Sequence, residues 1–223
     1  YAGWDLAPLY SPLSVFEGAT ITVGVAPDCA FDVVADTLQQ ARSTISVEVY
    51  SLRHPTLIQM LVDKARQGVN VSVLLEGDPV GLGANSPEWQ TELYACQELE
   101  AAGGACWFMV HDPDAGYFQR YLYLHAKMII VDGAQVIVST QNLTPDGMPA
   151  DDKANGTYGS RGIVLVIDAP SVVQRAAQVF ALDLDPDRHG DLLRWNTVTD
   201  PKYGPPDESQ VDLEETDDIS YTA

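Results

Sequence analysis

Apolar and polar positions repeat along this chain with two periods, and the period switches at Gly and Pro punctuation. Ile21 to Val25 is an apolar run ending at Ala26-Pro27, the pattern of a buried strand. Asp28 can cap a helix reaching about Arg42, whose Phe31, Val34, Ala35, Leu38 and Ala41 recur at helical spacing. Thr44 to Leu52 alternates at period two, with Ile45, Val47 and Val49 on one face and Ser46, Glu48 and Tyr50 on the other. Pro55 suits the first turn of a second helix that runs to Gln67 and stops at Gly68. Val69 to Leu75 reads as a third strand. Ser86-Pro87 opens a third helix ending near Gly103-Gly104, and Ala105 to Val110 follows as a fourth strand.

Strands separated by helices long enough for crossovers imply an α/β protein with a largely parallel sheet. The rhythm then changes. Leu122 to Val131 and Gln135 to Thr140 are two β-rich runs joined by Asp132-Gly133, a hairpin signal. Gly162 to Ile167 reads as a last strand, and Ala169-Pro170 precedes a closing helix to about Leu182. This divides the chain into an N-terminal extension over 1–19, a domain over 20–182, and an acidic, turn-rich extension or linker over 183–223.

Charge changes the picture of partners, not of fold. The 223 residues carry 12 basic against 32 acidic side chains, a net charge of −20, and residues 183–223 alone hold 12 acids against 3 bases. Such a field repels nucleic acid and anionic membrane surfaces, so a polyanion must meet a local basic spot. No apolar run approaches the roughly 20 residues needed to span a bilayer. Cys29, Cys96 and Cys106 lack metal-ligand spacing and read as buried free thiols, a Cys96–Cys106 pairing being the alternative. The chain starts at Tyr1, so it reads as a trimmed or excised piece, and neither compartment nor leader is legible.

The densest chemistry lies in His125-Ala126-Lys127, continued through Asp132 to Ser139-Thr140-Gln141-Asn142. On a strand, His125 and Lys127 share a face, roughly 6–7 Å apart. With a two-residue turn at Asp132-Gly133, His125 would face Thr140, Lys127 would face Val138 and Tyr123 would face Asn142. Leu124, Ala126, Met128, Ile130 and Ile137 would form the opposite, core face. Imidazole, ammonium, hydroxyl and amide would thus converge, a set suited to phosphoryl transfer. A neutral imidazole can attack phosphorus, Lys127 can offset charge on the phosphoryl oxygens, and Asn142 and Thr140 can donate hydrogen bonds. No carboxylate cluster accompanies them, so neither a catalytic metal nor another cofactor is implied.

The spacing H-x-K-x4-D, then six residues, then small-hydroxyl-x-Asn resembles the signature of the phospholipase D superfamily. His125, Lys127, Asp132 and Asn142 match it in type and position, while Ser139 stands at its glycine and Thr140 at its serine. The resemblance covers about residues 20–182 and implies a mixed, largely parallel sheet flanked by helices on both faces. It further implies a ping-pong mechanism through a covalent phosphohistidine, with a second signature histidine as acid and then base. Only one signature is present, since His54, His111 and His189 are followed two residues on by Thr56, Pro113 and Asp191. The second would come from an identical chain in a homodimer or from a further signature domain. Many members carry an acid shortly after the signature to orient the imidazole. The comparable stretch here, Ser160-Arg161-Gly162, has none, which leaves Glu48 and Glu76 as substitutes.

The reading is a metal-independent phosphodiesterase acting on phospholipid, with a nuclease of the same superfamily as the alternative. A non-catalytic phosphate-binding or dimerisation half-domain is the alternative outside enzymes. The loop Gly77 to Gly83 lacks a P-loop lysine and is either connector or site wall. Tyr117, Phe118, Tyr121 and Tyr123 with Arg120 are either core or a substrate groove, and the loop Leu143 to Gly159 forms one wall of the site.

Overall fold

The structure is a computed structural model describing residues 11–112, 114, 116–118, 120–151 and 158–214. Eight strands form one sheet: β1 (Ile21–Ala26), β2 (Thr44–Val49), β3 (Asn70–Glu76), β4 (Ala105–Met109), β5 (Lys127–Val131), β6 (Gln135–Ser139), β7 (Gly162–Ile167) and β8 (Leu192–Arg194). Among the described residues four α-helices accompany them: α1 (Ala30–Gln39), α2 (Pro55–Arg66), α3 (Pro87–Ala101) and α4 (Pro170–Asp183). The order across the sheet is β1-β7-β6-β5-β2-β3-β4-β8.

Helices do cover both faces, but the sheet is mostly antiparallel. Only β2–β3 and β3–β4 run parallel, the two pairs joined by the α2 and α3 crossovers. The 110–126 connection brings β5 back antiparallel on the other side of β2, and β6, β7 and β1 follow antiparallel from there. The α1 crossover joins β1 to β2 without making them neighbours, which the helix-strand rhythm could not show.

Alternation along the strands sorts the core into two layers. Val47, Val49, Val71, Val73, Ile129, Val131 and Ile137 pack with the helices α1, α2 and α3 on one face. Leu74, Ile130 and Val136 pack with Val173, Ala176 and Phe180 of α4 on the other. That second face is incompletely covered. Ile21, Val23, Val138 and Ile163 are 43–58% exposed, and strand register puts them on this one face across β1, β7 and β6.

One sequence expectation fails here. Cys96 and Cys106 form a disulfide rather than free thiols, because the buried side of α3 sets Cys96 over β4, with Cα atoms 5.3 Å apart. Parts of the acidic extension after 182 pack on the domain. β8 pairs antiparallel with β4, and Tyr203 is buried against Trp89 and Phe108 at ring separations of 6.0 and 5.5 Å. Its hydroxyl donates to the Gly77 carbonyl at 3.2 Å, and Asp212 N–H donates to Thr91 Oγ1 at 2.9 Å. Leu192, Leu193, Trp195 and Tyr203 supply the apolar surface that an acid-rich average conceals. Among the described residues, no helix is long and apolar enough to cross a membrane.

Candidate active site

β5 begins at Lys127, so the ladder reaches the lysine of the signature and stops short of the histidine. His125 is exposed at the end of an irregular segment, not on a strand as the alternation suggested. Two contacts hold that segment. Glu76, buried at the C-terminal end of β3, accepts the Leu124 N–H on Oε2 at 2.6 Å and the Asp78 N–H on Oε1 at 2.9 Å. Tyr50 N–H donates to the Ala126 carbonyl at 3.1 Å, extending the β2–β5 pairing by one step.

The Tyr50 ring stands between the two signature side chains. His125 meets it edge-on at 5.0 Å, and Lys127 Nζ lies 5.4 Å from its centroid. The same ammonium donates to the His125 carbonyl at 3.0 Å. Tyr50 Oη accepts the Val80 N–H at 2.8 Å, which ties the Gly77–Gly83 loop to this ring.

Electrostatics follow from this crowding. Loss of solvent, and then the Lys127 charge, lower the His125 pKa below the ordinary imidazole value. Loss of solvent lowers that of Lys127 as well. Burial raises Glu76, opposed by its two backbone donors. A depressed imidazole pKa favours the neutral ring, the form that can attack an electrophile.

The hairpin register differs from expectation by one residue. Met128 pairs with Val138 and Val131 with Gln135, so three residues, Asp132 to Ala134, form the turn. Asp132 and Gly133 take φ of 54° and 61°, the left-handed region that Asp and Gly tolerate. Because side chains alternate, the slip exchanges faces. Ser139 falls on the face of Lys127 in place of Val138, and the two line one small pocket with Val49, Leu143 and Met148. Ile137 accordingly packs with the α1–α3 layer and not with Met128 and Ile130. Thr140 turns to β7, its Oγ1 accepting the Ile163 N–H at 2.9 Å. That approach requires Gly162, where a Cβ would collide with Thr140 Oγ1 and Gln141 Nε2.

Asn142 is half-buried, and its Oδ1 is buried without a hydrogen-bond partner. The next residue fixes its place. Leu143 N–H donates to the Ser51 carbonyl at 3.1 Å, and the Leu143 carbonyl accepts from Arg53 N–H at 2.8 Å and His54 N–H at 2.9 Å. Asn142 is thereby held beside the chain leaving β2.

Asp132 and Glu48 do not join this cluster. Asp132 sits five strand steps from Lys127, about 17 Å away. Its carboxylate accepts backbone N–H bonds from Arg42, Ser43 and Thr44 at 2.9, 2.7 and 2.9 Å, and the Ser43 hydroxyl at 2.8 Å. Burial opposes ionisation, yet these donors hold its pKa at about 2. Glu48 pairs across from Met128, and Lys127 pairs with Val49, so alternation sends Glu48 to the opposite face. There it meets Asp183 and Arg120 in a buried cluster. Burial, then the Asp183 charge, raise its pKa to about 8. It is therefore no substitute for an imidazole-orienting acid.

Of the aromatic residues ahead of the signature, Tyr117 and Tyr121 pack against the two core layers while Phe118 and Tyr123 are exposed. Of the loop from Leu143 to Gly159, residues 152–157 lie outside the described residues, and Leu143, Thr144 and Met148 are buried. Sequence reading passed over Tyr50, since one aromatic on an alternating strand carries no signal of its own. Among the described residues, no group of three or more His, Cys, Asp or Glu side chains is placed to hold a metal ion.

The family described as "Cardiolipin synthase, PLD-like domain" matches residues 34–184. No curated protein matches the sequence. Among solved structures, Nuc from Salmonella typhimurium, a phospholipase D family member, superposes with a TM-score of 0.60 at 17% identity, covering 80% of this chain and 99% of that one. NucT from Helicobacter pylori gives 0.51 at 11% identity, covering 73% and 94%. Phosphatidylserine synthase from Haemophilus influenzae Rd KW20 gives 0.55 at 16% identity, covering 78% of this chain and 39% of that one. At these identities the structural likeness concerns the fold.

Proposed function

This chain belongs to the phospholipase D-like domain family, and from that premise we propose that it is a phosphodiesterase whose nucleophile is His125. The observation that carries the reading is the convergence of His125 and Lys127 on one ring, 5.0 and 5.4 Å from Tyr50, in a setting that keeps the imidazole neutral. In the proposed reaction the unprotonated imidazole nitrogen attacks phosphorus, the bond to the leaving alkoxide breaks, and a phosphohistidine forms. Lys127 and the amide of Asn142 stabilise the phosphoryl oxygens as charge accumulates on them. Ser139 shares the Lys127 face. Thr140 and Asp132 act as supports, the first through β7 and the second through the chain entering β2. Water then attacks phosphorus and restores the imidazole.

The leaving alkoxide needs a proton that this single signature does not supply. A second copy of the chain supplies the other histidine in this reading. The exposed strip of Ile21, Val23, Val138 and Ile163, in which Val138 directly precedes the hairpin residues Ser139 and Thr140, offers a surface for that copy. A further signature domain is the other source of the histidine.

Phospholipid is the favoured substrate. Net charge of −20 opposes a polynucleotide, whereas Val80, Leu122 and Tyr123, at 65%, 75% and 43% exposure, give the site an apolar rim. Hydrolysis of a chromogenic phosphodiester in excess EDTA, by the wild type and His125→Ala in parallel, tests the reading. Turnover that survives chelation and vanishes in the variant is expected. Equal turnover in both would refute it.

A further inference from the structure

A chain with 12 basic residues against 32 acidic ones rarely leaves a half-buried cation uncommitted. Among the described residues, six of its Lys and Arg side chains pair with carboxylates. Lys64 and Arg175 cap backbone carbonyls instead. Among the described residues, the half-buried Arg53 and Lys127 do not have a carboxylate within ion-pair distance. Both stand at the same edge of the sheet, where the chain leaves β2 and enters β5.

Arg53 is held by a built arrangement. Its Nε donates to Ser51 Oγ at 3.1 Å, and the Ser51 hydroxyl donates to Glu92 Oε1 at 2.5 Å. Ser51 and Glu92 are 4% and 0% exposed. Glu92 Oε2 has no hydrogen-bond partner among the described residues. Burial above all raises the Glu92 pKa to about 8, with Ser51 and then Arg53 opposing it. A carboxyl pushed towards its protonated form compensates the Arg53 charge less.

The position relative to the reacting groups follows from the chain. Arg53 is three residues beyond Tyr50, at most about 10 Å of backbone from the residue that touches His125. Its own N–H binds the carbonyl of Leu143, the residue after Asn142. The terminal nitrogens of its guanidinium, for which no side-chain partner is found among the described residues, form a planar fork suited to a phosphate or carboxylate.

We infer that Arg53, oriented by Ser51 and Glu92, forms a second anion subsite beside the scissile phosphate, so that the substrate carries two neighbouring anionic groups. In the lipid reading the second anion belongs to the headgroup. The inference rests on the proposed phosphate site at Lys127 but is read by binding, independently of turnover.

Calorimetric titration of inorganic phosphate and of inorganic pyrophosphate tests it. The wild type is expected to hold pyrophosphate at least about tenfold more tightly than phosphate, the scale of one charge-assisted hydrogen-bonded contact. Arg53→Gln is expected to bring that ratio close to one, with Arg53→Lys and Ser51→Ala between. A wild-type ratio near one, or an Arg53→Gln loss that is equal for both anions, would overturn the subsite. His125→Ala should keep the ratio. If the wild type shows the ratio but no diester turnover, the subsite stands and the phosphodiesterase reading falls. Dihexanoyl phosphatidylserine against the phosphatidylcholine analogue identifies the source, and an Arg53-dependent preference for the serine headgroup supports it. Such a preference found only for a 5′-phosphorylated dinucleotide over the unphosphorylated one would overturn the headgroup assignment.

Discussion

Asp132→Asn removes one charge, keeps the shape, and keeps a residue type that tolerates the positive φ of the turn. The carboxylate receives three backbone N–H bonds and one hydroxyl, and its pKa falls from 3.8 to about 2. At 1.36 kcal/mol per pKa unit, that shift amounts to about 2.4 kcal/mol. The group is partly solvent-exposed, so screening reduces this to about 1–2 kcal/mol. For a chain of 223 residues, each kcal/mol moves Tm by about 2–4 °C, so a fall of about 2–8 °C at pH 7 is expected. The folded pKa lies below the unfolded one. The stabilisation is therefore complete above pH 4 or so and disappears as pH falls through 3.8 towards 2. Urea melts of both proteins at pH 7, 5 and 3.5 should show the gap narrowing with acid. With Asp132 about 17 Å from Lys127, kcat/KM should change by less than about threefold. A hundredfold loss of kcat with unchanged stability would refute the structural role argued for this residue.

The acidic limb of kcat/KM should fall below pH 6.5, because the nucleophile must be neutral and its pKa is lowered; Lys127→Ala should move that limb upward by removing a neighbouring positive charge, as a pH-rate profile would show. Val138→Asp places a carboxylate on the exposed apolar strip. If a second copy covers that strip, sedimentation should show a dimer in the wild type and monomer in the variant, with turnover lost alongside. Gly162→Ala should destabilise the fold by about 1–3 kcal/mol in denaturant melts, since the added methyl meets Thr140 and Gln141 where β7 closes on the hairpin.

Much of the fold was legible because local signals and tertiary outcome agree. Pro55 and Pro87 start α2 and α3, Gly68 and Gly103 follow their ends with φ of 89° and 92°, and the first seven strands fall close to the expected runs except β5, which starts at Lys127 rather than Leu122. Strand direction was not legible, since nothing in the period of an apolar run says which side of β2 will receive β5. The hairpin shows how fine the margin is. Asp132-Gly133 correctly marks the turn, but anchoring the Asp132 carboxylate on Arg42, Ser43 and Thr44 accompanies a three-residue loop, and one extra residue exchanges Val138 for Ser139 beside Lys127. Glu48 misled for the same reason, because its face depends on a register with β5 that sequence does not carry. β8 was hidden by averaging, three apolar-rich residues inside a strongly acidic stretch. Glu76, at the C-terminal end of a strand, was legible as a candidate, though it holds the Leu124 backbone and makes no hydrogen bond to the imidazole.

The central claim is that His125 takes the phosphoryl group onto its own nitrogen. Mixing the enzyme with a phosphodiester in excess EDTA, quenching within the first turnover in denaturant at alkaline pH, and mapping peptides by mass spectrometry reads this directly. The account predicts an acid-labile, base-stable phosphoryl adduct on the peptide containing His125, absent in His125→Ala. Turnover in the wild type with no adduct at any quench time, and undiminished turnover in His125→Ala, would contradict it.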